Sequence, residues 1–217
     1  MKNLILYLLM TSSSATLFAQ KIVEERVPVS GQSTLKMDFP FVNKVLISTW
    51  DKQEVYAEAT VMVNGNRDND VFELSSRGTN SRQIVMEMDK ELWDEKTKQS
   101  RSNSWTTDIV VEVFIPKTLE LEAETISGTY ELTYYGKPFF FKTISGDVDL
   151  SIASNEHIDF MVKTVSGEIY SDLDLSYPNG KDGLKKVVGM DLEGRLNNGG
   201  KLVEMETISG NIFLRSL

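Results

Sequence analysis

The chain has 217 residues, 41% of them hydrophobic, and a formal net charge of −9. It contains no cysteine, which excludes disulfides, thiol catalysis and a lipid-modified cysteine, so packing alone must hold the fold. The acidic balance disfavours nucleic acid and anionic membrane surfaces as partners, since both repel a net-negative body.

Residues 1–19 read as a secretory signal peptide. Lys2 gives a short positive end, residues 4–10 an apolar stretch, and residues 12–19 a small-residue exit, with Leu17 and Ala19 at the −3 and −1 positions before cleavage at Gln20. The apolar run falls short of the roughly 20 residues a spanning helix needs, and no later segment is apolar enough to cross a membrane. Cleavage leaves 198 residues (217 − 19) and, without Lys2, a charge of −10. That length suits a single elongated domain over 20–217.

After the leader the pattern is that of strands. Apolar and polar residues alternate over 45–48 and 54–63, with Trp50-Asp51-Lys52-Gln53 as a hairpin-like connection and Asn64-Gly65-Asn66 as a turn. Further strands are predicted over 71–74, 83–88 and 108–115. Residues 20–107 thus form an irregular strand region, interrupted over 89–105 by a surface insertion that reads as a helical turn and a polar loop. Within it, Trp93 and Trp105 plug the edge of the core beneath the loop, the alternative being a sugar-stacking pair.

Residues 108–217 are periodic. Thr-Ile/Val-Ser-Gly occurs at 125–128, 143–146, 164–167 and 207–210, at intervals of 18 (143 − 125), 21 (164 − 143) and 43 (207 − 164). The last is about two periods, which predicts one degenerate copy inside it. Lys186-Val187-Val188-Gly189 keeps the period, whereas residues 191–196 keep the apolar-x-Gly-x-apolar signature. A strand-like period of roughly twenty residues predicts an all-β solenoid of stacked coils.

Within each copy the apolar set changes phase. Phe141 and Thr143, Val162 and Thr164, and Met205 and Thr207 form one inward set; Ile144, Val148, Leu150 and Ile152, Val165, Ile169 and Leu173, and Ile208, Ile212 and Leu214 are expected inward in the other. Alternation along a strand forbids such a switch without a bend, so each tetrapeptide is predicted to be a corner. There the hydroxyls of Thr125, Thr143, Thr164 and Thr207 bond freed backbone groups, and Gly128, Gly146, Gly167 and Gly210 permit unusual angles or close approach. Four equivalent serines and the single His157 speak against a Ser-His triad.

The outward positions are the candidate binding surface. Asp147, Asp149 and Asp172 form acidic rows, read as solvated; calcium would need about six to eight oxygen ligands, and the nonapeptide calcium-roll pattern is absent. Lys142 and Lys163 occupy equivalent positions before the motif, where Glu124 and Glu206 stand in other copies, and Tyr170 adds an aromatic ring. No motif for nucleotide, zinc or phosphate binding occurs, and no residue is assigned to catalysis, a cofactor or a metal.

Val113-Phe114-Ile115-Pro116-Lys117, Leu119-Glu120-Leu121, the Thr-x-Ser-Gly series, Asn198-Gly199-Gly200 and the closing residues 207–215 together resemble the bacterial putative-adhesin family of exported β-solenoid domains. The resemblance covers residues 42–217. It implies a right-handed single-stranded β-helix or β-roll in the cell envelope, with no catalytic residues to transfer. The expected function is therefore a non-enzymatic adhesin or interaction scaffold, exported to the periplasm, the cell surface or the medium, with an envelope protein or polysaccharide as partner. A glycan-binding module is the alternative, and a polysaccharide-processing enzyme stands behind it.

Overall fold

Period-two alternation is realised as strands along almost the whole chain. The computed structural model describes residues 20–78, 82–99, 105–177 and 190–217; the predicted leader and the 186–189 alignment of the degenerate copy lie outside them. Strands β1 (Lys21–Pro28), β2 (Thr34–Asp38), β3 (Lys44–Trp50) and β4 (Glu54–Val63) precede a short 3-10 turn at Asn69–Val71, β5 (Leu74–Gly78), β6 (Gln83–Met88), the helix α1 (Lys90–Gln99) and β7 (Thr107–Pro116). Then come β8 (Glu120–Thr125), β9 (Thr129–Thr133), β10 (Phe139–Thr143), β11 (Asp147–Ile152), β12 (Ile158–Thr164) and β13 (Ile169–Ser171). The described chain ends with β14 (Met190–Leu196), β15 (Lys201–Thr207) and β16 (Ile212–Ser216).

These strands form two open eight-stranded sheets, ordered β1-β4-β7-β3-β9-β11-β16-β13 and β14-β12-β15-β10-β8-β2-β6-β5. Inward residues of both sheets, among them Phe141, Phe160 and Met205 against Tyr130, Leu150 and Leu214, make one buried core. Each Thr-x-Ser-Gly carries the chain from the second sheet to the first, from β8 to β9, β10 to β11, β12 to β13 and β15 to β16.

This topology overturns the expected β-helix or β-roll solenoid. A solenoid stacks its coils in sequence order, but here the fourth copy lies between the second and third: β15 pairs in parallel with β10 and β12, and β16 with β11 and β13. Antiparallel pairs also occur, between β1 and β4, β4 and β7, β5 and β6, and β12 and β14. The degenerate copy aligned on 191–196 is one of them. As β14 it runs antiparallel to β12 at the edge of the sheet, so it is no repeat of the parallel strands.

Three local expectations also change. β3 and β4 are not a hairpin, because β7 lies between them, parallel to β3 and antiparallel to β4. The strand expected over 71–74 begins only at Leu74; Asp68-Asn69-Asp70 favours a turn, and the Phe72 amide donates to the Asn69 carbonyl at 3.4 Å. Within the insertion, α1 is capped by Asp89, whose Oδ1 accepts from the Leu92 amide at 2.9 Å. Trp93 turns inward and stacks on Phe41 at 5.3 Å, with Trp105 half-buried 6.3 Å from it. Trp93 therefore plugs the core and has no free face for a sugar.

The corners hold the two sheets in one register. Thr125, Thr143, Thr207 and Thr164 stand level across β8, β10, β15 and β12, and all four are buried. Three of them accept a hydrogen bond from the glycine three residues on: Gly146 to Thr143 at 2.8 Å, Gly210 to Thr207 at 2.8 Å and Gly167 to Thr164 at 2.9 Å. In the first copy the Thr125 hydroxyl faces the Phe39 and Ser127 carbonyls instead, and Gly128 adopts a φ of +101°. Space is the stronger constraint. A Cβ on Gly210 would stand 1.8 Å from the Gly146 carbonyl oxygen, one on Gly167 1.8 Å from that of Gly210, and one on Gly146 2.5 Å from that of Gly128.

Two substitutions follow from this geometry. Gly210→Ala is expected to destabilise the fold by about 2 kcal/mol or more through steric overlap with backbone, and Thr207→Val by about 1–3 kcal/mol by stranding the Gly210 amide. Urea unfolding measures both, and midpoints equal to that of the parent chain would refute the corner mechanism.

Candidate interaction surface

Alternation continues unbroken through the first two residues of each corner. In β10 Phe141 and Thr143 point inward, so Lys142 and the following Ile144 both point out. The same holds in the other copies: Ile126 is 40% exposed, Ile144 47%, Ile208 51% and Val165 44%. Ile144, Val165 and Ile208 were expected in the core and are not there. The phase switch falls one step later, across Ser-Gly, and Val148 and Ile212 are the next inward residues. Buried threonine, not isoleucine, is the inward member of the motif.

The outcome is an aliphatic row running across four parallel strands, with a charged row beside it. Glu124, Lys142, Glu206 and Lys163 are level neighbours on β8, β10, β15 and β12. Between the two rows lies a shallow groove of about 310 Å³, with Thr125, Thr143 and Thr207 along its floor. Glu124 pairs with Lys36 at 3.1 Å. Lys142, Glu206 and Lys163 have no ion-pair partner among the described residues. Two of the corner serines bond backbone of the adjacent corner: Ser209 donates to the Ile144 carbonyl at 3.1 Å and Ser166 to the Ile208 carbonyl at 3.0 Å.

The remaining predicted surface residues lie on the other sheet, apart from the two lysines. Asp147 accepts from the Asn211 amide at 2.6 Å, both oxygens of Asp149 accept from Arg215 Nε at 2.8 Å, and Asp172 accepts from the Ser216 amide at 2.6 Å. Tyr170 stacks on Phe213 at 5.1 Å and 7°, and donates its hydroxyl to Glu168, which pushes the phenol pKa up. These carboxylates tie neighbouring strands together. Among the described residues no group of three or more His, Cys, Asp or Glu is arranged to hold a metal. His157 sits in the loop before β12, with Nδ1 donating to the Asn197 carbonyl.

One feature escaped the sequence reading. On the outer face of the first sheet Trp50, Tyr56 and Phe114 cluster with centroids 5.4–6.1 Å apart, capped by Arg26 3.8 Å over Tyr56 and Lys52 4.4 Å over Trp50. Ser48, level with Phe114, leads from this cluster into an open groove of about 450 Å³ shared with Thr133, Ser151, Glu131 and Asp149. The signal was present in the alternation, which puts Ser48 and Trp50 on the face opposite the buried Ile47. Among the described residues no helix is long and apolar enough to cross a membrane.

The assignment of faces has a direct thermodynamic consequence. Ile144→Ala should change stability by no more than about 0.5 kcal/mol, as an exposed substitution. Leu150→Ala, at a fully buried position, should cost about 2–5 kcal/mol. Comparing the two by urea unfolding checks the placement, and a large loss for Ile144→Ala would reverse it.

No family model and no curated protein matches the chain. Among solved structures, a putative cell adhesion protein from Clostridium sporogenes aligns with a TM-score of 0.52 at 12% identity, over 91% of this chain and 100% of that one. A putative adhesin from Parabacteroides distasonis aligns at 12% identity over 70% of each chain with a TM-score of 0.36, and one from Bacteroides fragilis at 9% over 92% of this chain and 98% of that one, with a TM-score of 0.24. Of the three, the Clostridium sporogenes structure shows a fold shared with this chain.

Proposed function

We propose that the chain is an exported, non-enzymatic adhesion module of the cell envelope that engages its partner through the corner groove. The carrying observation is the aliphatic row of Ile126, Ile144, Ile208 and Val165, held 40–51% exposed beside Lys142, Glu206 and Lys163, which have no ion-pair partner within the described structure. A contiguous apolar stripe rimmed by charge is the usual mark of a protein interaction surface. The fold shared with a protein described as a putative cell adhesion protein supports the reading. So does the leader-like composition of residues 1–19.

A second reading rests on the aromatic cluster. Trp50 and Phe114 beside the Ser48, Thr133 and Ser151 hydroxyls offer the stacking and hydrogen-bonding groups by which a saccharide is held.

Beads coated with the chain, applied to cells that carry it, separate the two. Ile208→Asp should lower attachment about tenfold or more by placing a charge in an apolar contact, while circular dichroism stays unchanged. Attachment that survives Ile208→Asp and is lost with Trp50→Ala would transfer the function to the saccharide groove. Export predicts that protein recovered from the cell envelope begins at Gln20, read by mass spectrometry; recovery with residues 1–19 intact in the cytoplasm would refute it.

A further inference from the structure

The charged row carries an internal symmetry. Across β8, β10, β15 and β12 the residues before the corner threonines are Glu124, Lys142, Glu206 and Lys163. Their signs run minus, plus, minus, plus. Reversed, they run plus, minus, plus, minus, so the row is complementary to its own reverse. The neighbouring aliphatic row matches itself in either direction.

A second copy can use both rows together. Let a two-fold axis lie in the contact plane, along the strand direction, between β10 and β15. This operation reverses the order of strands while keeping each residue's position along its strand. Charged row then meets charged row, and aliphatic row meets aliphatic row. Lys142 of each copy faces Glu206 of the other, and Glu124 of each faces Lys163 of the other. All four juxtapositions are of opposite sign, and the contact is isologous, as closed dimers require. The spacing matches automatically, because one ladder of about 4.8 Å sets both rows.

We propose that the corner groove is where two copies of this chain pair; the proposal rests on reading that groove as the adhesive surface. Lys142, Glu206 and Lys163 break no ion pair of the described structure to do so. The match ends after four strands. Beyond them Asp38 and Asp191 would face each other, and Asp38 is already held by Lys90 at 2.7 Å. Four strands span only about 14 Å, so the contact falls below the roughly 1,000 Å² of a stable interface. A single pair is therefore weak, and many copies on facing surfaces gain strength by multivalency.

Sedimentation equilibrium of the purified chain, up to about millimolar concentration, tests the proposal. The expected result is a reversible dimer that weakens as salt rises. Lys142→Glu and Glu206→Lys should each weaken it about tenfold or more, since each sets like charges opposite one another twice in the dimer. Mixing the two variants should restore pairing, because position 142 of the first, now glutamate, faces position 206 of the second, now lysine, while Glu206 of the first faces Lys142 of the second. Both positions are on the surface, so circular dichroism should not change. A chain that stays monomeric at low salt, a dimer indifferent to both substitutions, or a mixture that fails to pair would each overturn the proposal. Should the chain stay monomeric while Ile208→Asp still lowers bead attachment, self-pairing falls and the adhesive reading stands; a chain that stays monomeric, with attachment unaffected by Ile208→Asp, removes both.

Discussion

Glycine packed against the carbonyl of the neighbouring corner is the contact on which the architecture depends. Gly146, Gly210 and Gly167 follow one another along the ladder, and the space a Cβ would need is filled by backbone oxygen at 1.8–2.5 Å. No side chain fits there. Glycine brings conformational freedom that must be given up on folding, and the Thr-to-Gly hydrogen bonds help to offset it by fixing the turn in three of the four corners. Because every corner joins a strand of the second sheet to one of the first, fixing the corners fixes the register of both sheets at once. The level rows of Thr on one side, and of Val148 and Ile212 on the other, follow from that single alignment.

A locked register has a consequence for the surface. Outward side chains have no freedom to choose neighbours, so residues at equivalent positions fall into rows whether or not they attract. On the outer face of the first sheet the rows are internally satisfied, as Lys44 with Glu131 at 2.8 Å and Arg215 with Asp149 at 2.8 Å show. Acidic side chains there also oppose association of strand-rich chains through their faces and edges. The corner groove is built by the same ladder but filled differently, with aliphatic side chains in one row and, in the next, Lys142, Glu206 and Lys163 without ion-pair partners among the described residues.

What the sequence made legible was local. The phase change around Thr-x-Ser-Gly led to a bend, and strand chemistry led to an all-β chain of parallel pairs in its second half. The order of stacking was not legible, because four nearly identical tetrapeptides carry no information about which corner lies beside which. The 43-residue interval was the relevant sign. It leaves room for β13, the antiparallel β14 and a return that inserts β15 between β10 and β12. Ile144 shows that alternation outranks apolarity at the corner. Phe141-Lys142-Thr143 already sets the parity, and following it one residue further puts Ile144 outside.

The exposed aliphatic row has a competing explanation in strand propensity, since β-branched residues suit extended backbone at a corner. Propensity alone is a poor account of it. Threonine is β-branched too, and this chain uses threonine at the adjacent inward position of every copy, where burial makes a hydroxyl more demanding to accommodate. Were backbone preference the whole requirement, the polar residue would be expected outside and the aliphatic one inside. The arrangement is inverted at all four corners, with Ile or Val placed in water and Thr in the core. The inward hydroxyl is explained by the glycine amides it accepts from in three corners. The outward methyl groups have no such use within the described structure, and the contact proposed for the corner groove would give them one.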